Sequence, residues 1–147
     1  METDEILELL NRARAEELAC VRLYSQNATQ LEEIGNLYIS RLFHEQMGEE
    51  LLHARWLAAR IRALGGIPTQ EPASWCRKRG TRCGTTKIRR MLQEAAALER
   101  RELALYEQAI LNCSMGEDIE TKALLEQIVD TESAHEGQWT RLLAFRD

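Results

Sequence analysis

The chain has 147 residues and a formal net charge of −5. That length suits one domain able to bury a substantial core without disulfides. The acidic balance, with no basic tail, argues against general affinity for nucleic acid, and apolar runs well short of the ~20 residues a bilayer demands argue against a membrane span.

Leu, Ala, Glu and Arg dominate the composition, all four good helix formers. The two prolines, Pro68 and Pro72, sit close together, so everything outside that region is free to be helical. In chain order the pattern predicts a first helix over about 3–33, ended by Gly35, and a second over about 36–64, ended by Gly65-Gly66 with Pro68 beyond. A crossover over 65–84 follows. The third helix is expected over about 85–114, a break at Gly116, and the fourth over about 117–145. Short connections make antiparallel hairpins of helices one and two and of helices three and four. One long crossover then joins the hairpins into an all-α antiparallel four-helix bundle. The whole chain, 1–147, is expected to form this single domain.

The start, Met1-Glu2-Thr3-Asp4-Glu5, has neither the basic nor the apolar region of a secretory signal. A cytoplasmic location is the expectation, with Cys20, Cys76, Cys83 and Cys113 as reduced thiols that match no zinc-ribbon spacing.

An internal repeat supports the two-hairpin reading. Glu17, Tyr24, Glu50 and His53 recur as Glu99, Tyr106, Glu132 and His135, each pair 82 residues apart (99 minus 17). Each helix also has a stripe in alternating three- and four-residue steps, the spacing of a bundle seam. The stripes run Leu10, Ala13, Glu17, Cys20, Tyr24; Ile39, Phe43, Gln46, Glu50, His53, Leu57; Leu92, Ala95, Glu99, Glu102, Tyr106, Ile110, Cys113; and Leu125, Ile128, Glu132, His135, Trp139, Leu142.

A seam should be apolar, yet each carries a carboxylate near its middle. Burying unpaired carboxylates costs several kcal/mol or more, and four facing one another repel. A pair of divalent cations resolves the conflict, four positive charges meeting four carboxylates with two neutral imidazoles beside them. Residues at i and i+3 share a helix face. Glu50-Leu51-Leu52-His53 and Glu132-Ser133-Ala134-His135 therefore each supply an oxygen and a nitrogen, while Glu17 and Glu99 add one carboxylate from each remaining helix. That is the di-iron or di-manganese carboxylate pattern. Oxygen and imidazole donors suit Fe2+ and equally Mn2+. One Glu-x-x-His says little, since it is common on solvated helices; two with matched partner glutamates say much more.

At these residues the chain resembles the ferritin-like superfamily, and within it bacterioferritins and Dps-like ferritins with a bacterioferritin-type site. The likeness spans nearly the whole chain. It is strongest in Glu49-Glu50-Leu51-Leu52-His53-Ala54, Ala63-Leu64-Gly65-Gly66-Ile67-Pro68, the stretch from Tyr106 through Met115-Gly116-Glu117-Asp118, and Glu132-Ser133-Ala134-His135-Glu136. The resemblance implies that Glu50 and Glu132 bridge two irons, that Glu17 and Glu99 are terminal ligands, and that His53 and His135 each bind one iron. It also implies a homo-oligomer, and Tyr24 matches a tyrosine beside the bacterioferritin site. The methionine that holds haem in bacterioferritin is Leu51 here, so haem is not expected. The chain stops soon after the fourth helix, where larger ferritins have a short fifth; a dodecamer, a smaller oligomer or no cage all fit.

Other residues have two readings each. Glu102 resembles the extra third-helix glutamate of rubrerythrins, which moves on and off iron, or it leans to solvent or pairs with a nearby arginine. Cys20, at the repeat-equivalent position, is a redox partner of the site or a small buried hydrophobe, and Cys113 is open to the same bland reading. Cys76 and Cys83 bracket a basic run that would favour thiolates and a reversible disulfide, or they are unconnected thiols. Glu45 and Glu49 either pass iron or form an ordinary solvated face. The function expected first is ferroxidase activity for iron storage or detoxification, with Fe2+ and O2 or H2O2 as reactants and Tyr24 and Tyr106 relaying electrons or orienting ligands. A rubrerythrin-like peroxidase without storage and a non-catalytic metal-binding bundle stand as alternatives.

Overall fold

A computed structural model describes residues 3–78, 88–114 and 118–145. Four long helices form the bundle: α1 (Thr3–Glu33), α2 (Leu37–Ala63), α4 (Ile88–Ser114) and α5 (Ile119–Ala144). A short helix, α3 (Ser74–Lys78), lies within the crossover, where the two nearby prolines had suggested no helix at all. It starts two residues past Pro72, beyond the reach of that ring. Cys83, and with it any Cys76–Cys83 disulfide, falls outside the described residues, as does the Met115-Gly116-Glu117 turn.

The turns explain the hairpin geometry. Gly35 has a φ of +81°, a left-handed conformation that costs glycine little. Its N–H donates to Glu32 O and that of Asn36 donates to Leu31 O, closing α1 with two crossed bonds. Asn36 then caps α2, its side-chain oxygen accepting from Ile39 N. Gly65 (φ +86°) and Gly66 close α2 in the same way, onto Arg62 O and Ile61 O. A Cβ at Gly66 would meet the end of the Leu7 side chain at 2.6 Å, so a larger residue there would require that side chain to shift. Asp118 caps α5 through Thr121 N and accepts from Arg60 of α2, tying the two hairpins at one end.

All neighbouring long helices are antiparallel. Residue 60 of α2 meets residues 118–121, whereas Gln46 meets Gln138 of α5. Along the other gap, Glu16 of α1 meets Arg101 of α4. The crossover runs up the outside of α1 in successive contacts. Asn11 bonds Ile67 O and Thr69 N, Arg14 bonds Thr69 O and Gln70, Ala15 O accepts from Ala73 N, and Glu16 accepts from Trp75 Nε1. Arg14 additionally donates to Ala54 O of α2, so one buried guanidinium joins three segments.

The interior has two apolar halves. One holds Leu23, Leu31, Phe43, Leu92 and Trp139; the other holds Leu10, Leu57, Ile61, Leu125 and Ile128. Fully burying such side chains stabilises by about 1.5–3 kcal/mol each. Between these halves lies a polar layer of glutamates and histidines.

Candidate metal centre

The four helices bring the six sequence-predicted residues into that layer. Glu17, Glu50, Glu99 and Glu132 are all 0% exposed, His53 is 1% and His135 4%. They form two overlapping groups whose donor atoms lie within 4.8 Å of one another: Glu17, Glu50, His53 and Glu132, and Glu50, Glu99, Glu132 and His135. Glu50 and Glu132 belong to both groups.

The contacts cross between hairpins in matched pairs. His53 Nδ1 is 2.9 Å from Glu132 Oε1, and His135 Nδ1 is 3.0 Å from Glu50 Oε1. Each Nδ1 is 3.6 Å from the glutamate of its remaining neighbour, Glu17 or Glu99. Tyr24 of α1 donates to Glu99 Oε1 of α4 at 2.7 Å, and Tyr106 of α4 donates to Glu17 Oε1 of α1. Each tyrosine thus fixes one oxygen of a glutamate from the other hairpin. The 82-residue repeat is a pseudo-twofold in space.

Every one of the four glutamates leaves its Oε2 buried with no hydrogen-bond partner. Buried polar atoms without partners are rare, because each costs about 1–3 kcal/mol. Four converging in one layer, beside two imidazole nitrogens, are what a pair of divalent cations with oxygen and nitrogen preference requires. The donor set therefore fits a two-metal centre.

Burial and mutual charge shift the titration of these groups in opposite directions. Burial, then the charges of Glu17, Glu99 and Glu102, push the Glu50 carboxyl well above its ordinary range. Burial with Glu102, Glu17 and Glu50 does the same to Glu132. Burial disfavours a charged His135, but the nearby carboxylates of Glu132 and Glu99 outweigh that and raise it to about 11. Burial likewise works against a charged Glu99, yet the nearby Glu132 and His135 and the hydrogen bond from Tyr24 bring its carboxyl below the usual value. The charged forms of Glu99 and His135 are thus favoured, while those of Glu50 and Glu132 are disfavoured.

The symmetry breaks at two places. Cys20 and Glu102, equivalent in the repeat, meet each other: the thiol donates to Glu102 Oε1 at 2.6 Å and Glu102 Oε2 is unpartnered. Glu102 is 1% exposed, so the solvent-facing reading of it is overturned. Sequence inspection placed both residues on the seam without pairing them, although the shared 82-residue offset was the available signal. The second break is at His135, whose Nε2 is 2.8 Å from Glu49 Oε2. Glu49 is 51% exposed and so connects the buried imidazole to solvent. Glu45 is exposed on the same helix and makes no such contact. Trp139 packs on Phe43, with ring centroids 4.4 Å apart, and both rings flank Tyr24.

Comparisons with known proteins agree with this geometry. The ferritin-like domain model matches residues 7–144. A bacterioferritin of Desulfovibrio desulfuricans is 28% identical over 131 residues, covering 89% of this chain and 70% of that protein. A bacterial ferritin of Pseudomonas aeruginosa is 30% identical over 132 residues, covering 89% and 81%. The crystal structure of the D. desulfuricans bacterioferritin, which describes its diiron site in different catalytic states, superposes with a TM-score of 0.86 at 25% identity, over 97% of this chain and 80% of that one. Bacterioferritin of Rhodobacter capsulatus, described with a metal-free dinuclear site and haem iron, gives 0.88 at 26% identity, over 97% and 85%. Matched by the ferritin-like domain over residues 7–144, the chain belongs to the ferritin-like family.

Proposed function

We propose that the chain is a ferroxidase that takes up ferrous iron for storage or detoxification, with Glu50 and Glu132 bridging two irons, Glu17 and His53 completing one site, and Glu99 and His135 the other. The observation that carries this reading is the pair of overlapping donor groups sharing Glu50 and Glu132, each glutamate with an orphaned oxygen. When bound, two ferrous ions supply the electrons that reduce O2 or H2O2.

The chain's own residues prepare that event. Tyr24 and Tyr106 each occupy one oxygen of a terminal glutamate, leaving the other for metal. Their contacts favour the orienting role over the relay. The Nδ1 atoms face the carboxylates, so coordination requires His135 to lose its proton. Glu49, bonded to Nε2 and half exposed, offers that proton a route to water and an incoming cation its first carboxylate. Leu51, on the exposed side of α2, has no sulfur to offer a haem. Manganese in place of one or both irons fits the same donors. Storage needs a hollow homo-oligomer, and a cytoplasmic location accords with there being no helix, among the described residues, long and apolar enough to cross a membrane.

Anaerobic Fe2+ titration followed by mixing with O2, with oligomer mass measured on the same sample, tests the reading. Two irons per chain, rapid oxidation and a large assembly that accumulates iron are expected. Monomer or dimer without an iron core would remove storage; absence of O2-dependent oxidation would remove the ferroxidase. One observation favours a second reading: Glu102, buried beside the centre with a free oxygen, is available as a further ligand in a rubrerythrin-like peroxidase. Peroxide reduction faster than oxygen reduction, without mineral, would select it.

A further inference from the structure

A groove runs along the surface between α1 and α4. Its outer part, towards the start of α1, is about 280 Å³ and includes Glu5, Glu8 and Asn112; its inner part, nearer the polar layer, is about 310 Å³ and includes Glu16, Arg101 and Glu102. Arg12, Leu105 and Gln108 line both, so the two parts adjoin. The inner end reaches Glu102, whose Oε1 is held by the Cys20 thiol and whose Oε2 is a buried orphan. Glu102 is also close enough to the polar layer for its charge to act on Glu50 and Glu132, so one side chain faces both the groove and the layer.

In the part of the groove nearest Glu102 the charges do not favour a dication, although Glu5 and Glu8 make its far end acidic. Arg101 is bonded to Glu16 Oε1 and Trp75 to Glu16 Oε2, which occupies the wall carboxylate at the inner part. Arg12 adds a positive charge on the wall shared by both parts. On the opposite side of the bundle, between α2 and α5, half-exposed Glu49 sits directly on His135, with exposed Glu45 one turn away. A cation is drawn to that acidic side, whereas a neutral molecule is indifferent to the arginines.

We propose that the α1–α4 groove is the path by which a small neutral oxidant, dioxygen or hydrogen peroxide, reaches the metal centre, and that Glu102, held by Cys20, is the side chain that closes its inner end. The proposal rests on the ferroxidase reading for its passenger but not for the groove itself.

Ala104 is exposed and lines the inner part, so Ala104→Trp fills the groove from a position that carries little of the core. In the metal-free protein, labelling of Cys20 by methyl methanethiosulfonate, a small neutral thiol reagent, should slow several-fold in Ala104→Trp and quicken several-fold in Glu102→Ala. Peptide mass spectrometry reads this, with Cys76 as the internal control that should not change. In the loaded protein, Ala104→Trp should bind Co2+ anaerobically as wild type does, yet oxidise Fe2+ several-fold more slowly. O2 and H2O2 are tested separately, and the oxidant that is slowed is the one that uses the groove. Unchanged Cys20 labelling in a folded Ala104→Trp variant, or unchanged oxidation by both oxidants, would overturn the path. A wild type that fails to bind two Co2+ would instead remove the ferroxidase reading, and the labelling result would still decide the groove.

Discussion

Replacing Glu50 and Glu132 together by glutamine should stabilise the metal-stripped protein above neutral pH. Burial and neighbouring carboxylates disfavour the charged form of both carboxyls. A glutamine amide has nearly the same shape and never ionises. Each wild-type carboxyl also leaves one buried oxygen without a partner, a cost of about 1–3 kcal/mol per atom. Relief of part of that cost, about 2 kcal/mol in all, corresponds to roughly 4–8 °C in melting temperature at this chain length. The sign follows from linkage. Glu50 and Glu132 have folded-state values above the unfolded carboxyl value, so their contribution is fully present below about pH 4 and is lost as pH rises through the folded values. The variant has no such loss, so its advantage should be small near about pH 5 and largest near about pH 8. Thermal melts in chelator across that range measure it. Added divalent metal should invert the order, because wild type gains about 4 kcal/mol at a thousandfold excess over its dissociation constant and the variant gains far less. A variant melting several degrees below wild type near pH 8, with no metal in either sample, would refute the reasoning and show that these carboxylates are held as structural ions.

Glu99→Gln should act in the opposite direction, lowering the melting temperature of the metal-free protein by removing the partner of a buried, charged His135; scanning calorimetry beside the double variant compares the two directly. Anaerobic Co2+ titration should show loss of both ions in Glu50→Ala or Glu132→Ala but weakening of mainly one ion in Glu17→Ala or Glu99→Ala; normal stoichiometry in all four would discard the ligand assignment. Metal loading near neutral pH should release about three protons per chain, one each from Glu50, Glu132 and His135, as read by a pH-stat titration in unbuffered solution. Arg14→Ala should cost about 3 kcal/mol in urea unfolding and hasten proteolysis of the 64–73 segment, because the guanidinium holds Ala54 O, Thr69 O and Gln70 together.

How much of this was legible beforehand divides along a physical line. Helix periodicity and breaker residues are local properties of the chain, so the four long helices, their antiparallel pairing and the long crossover could be read from spacing alone. The repeat, with its carboxylates placed where a seam should be apolar, located the candidate centre for the same reason: burying charge is so costly that its pattern is visible in one dimension. Residues that act across helices were not legible in that way. The exchange of Tyr24 to Glu99 and Tyr106 to Glu17, the Cys20–Glu102 pair, and the Glu49 contact to His135 depend on how one helix is rotated against another. Arg14 looks in sequence like one more surface arginine, and only the path of the crossover over α1 buries it. Sequence by itself determined which side chains must share the interior of this protein, because hydrophobicity and charge are properties of each residue. Only the tertiary structure decided which atoms of them meet, because hydrogen bonds and proton sharing depend on ångström-scale distances between helices that no local pattern records.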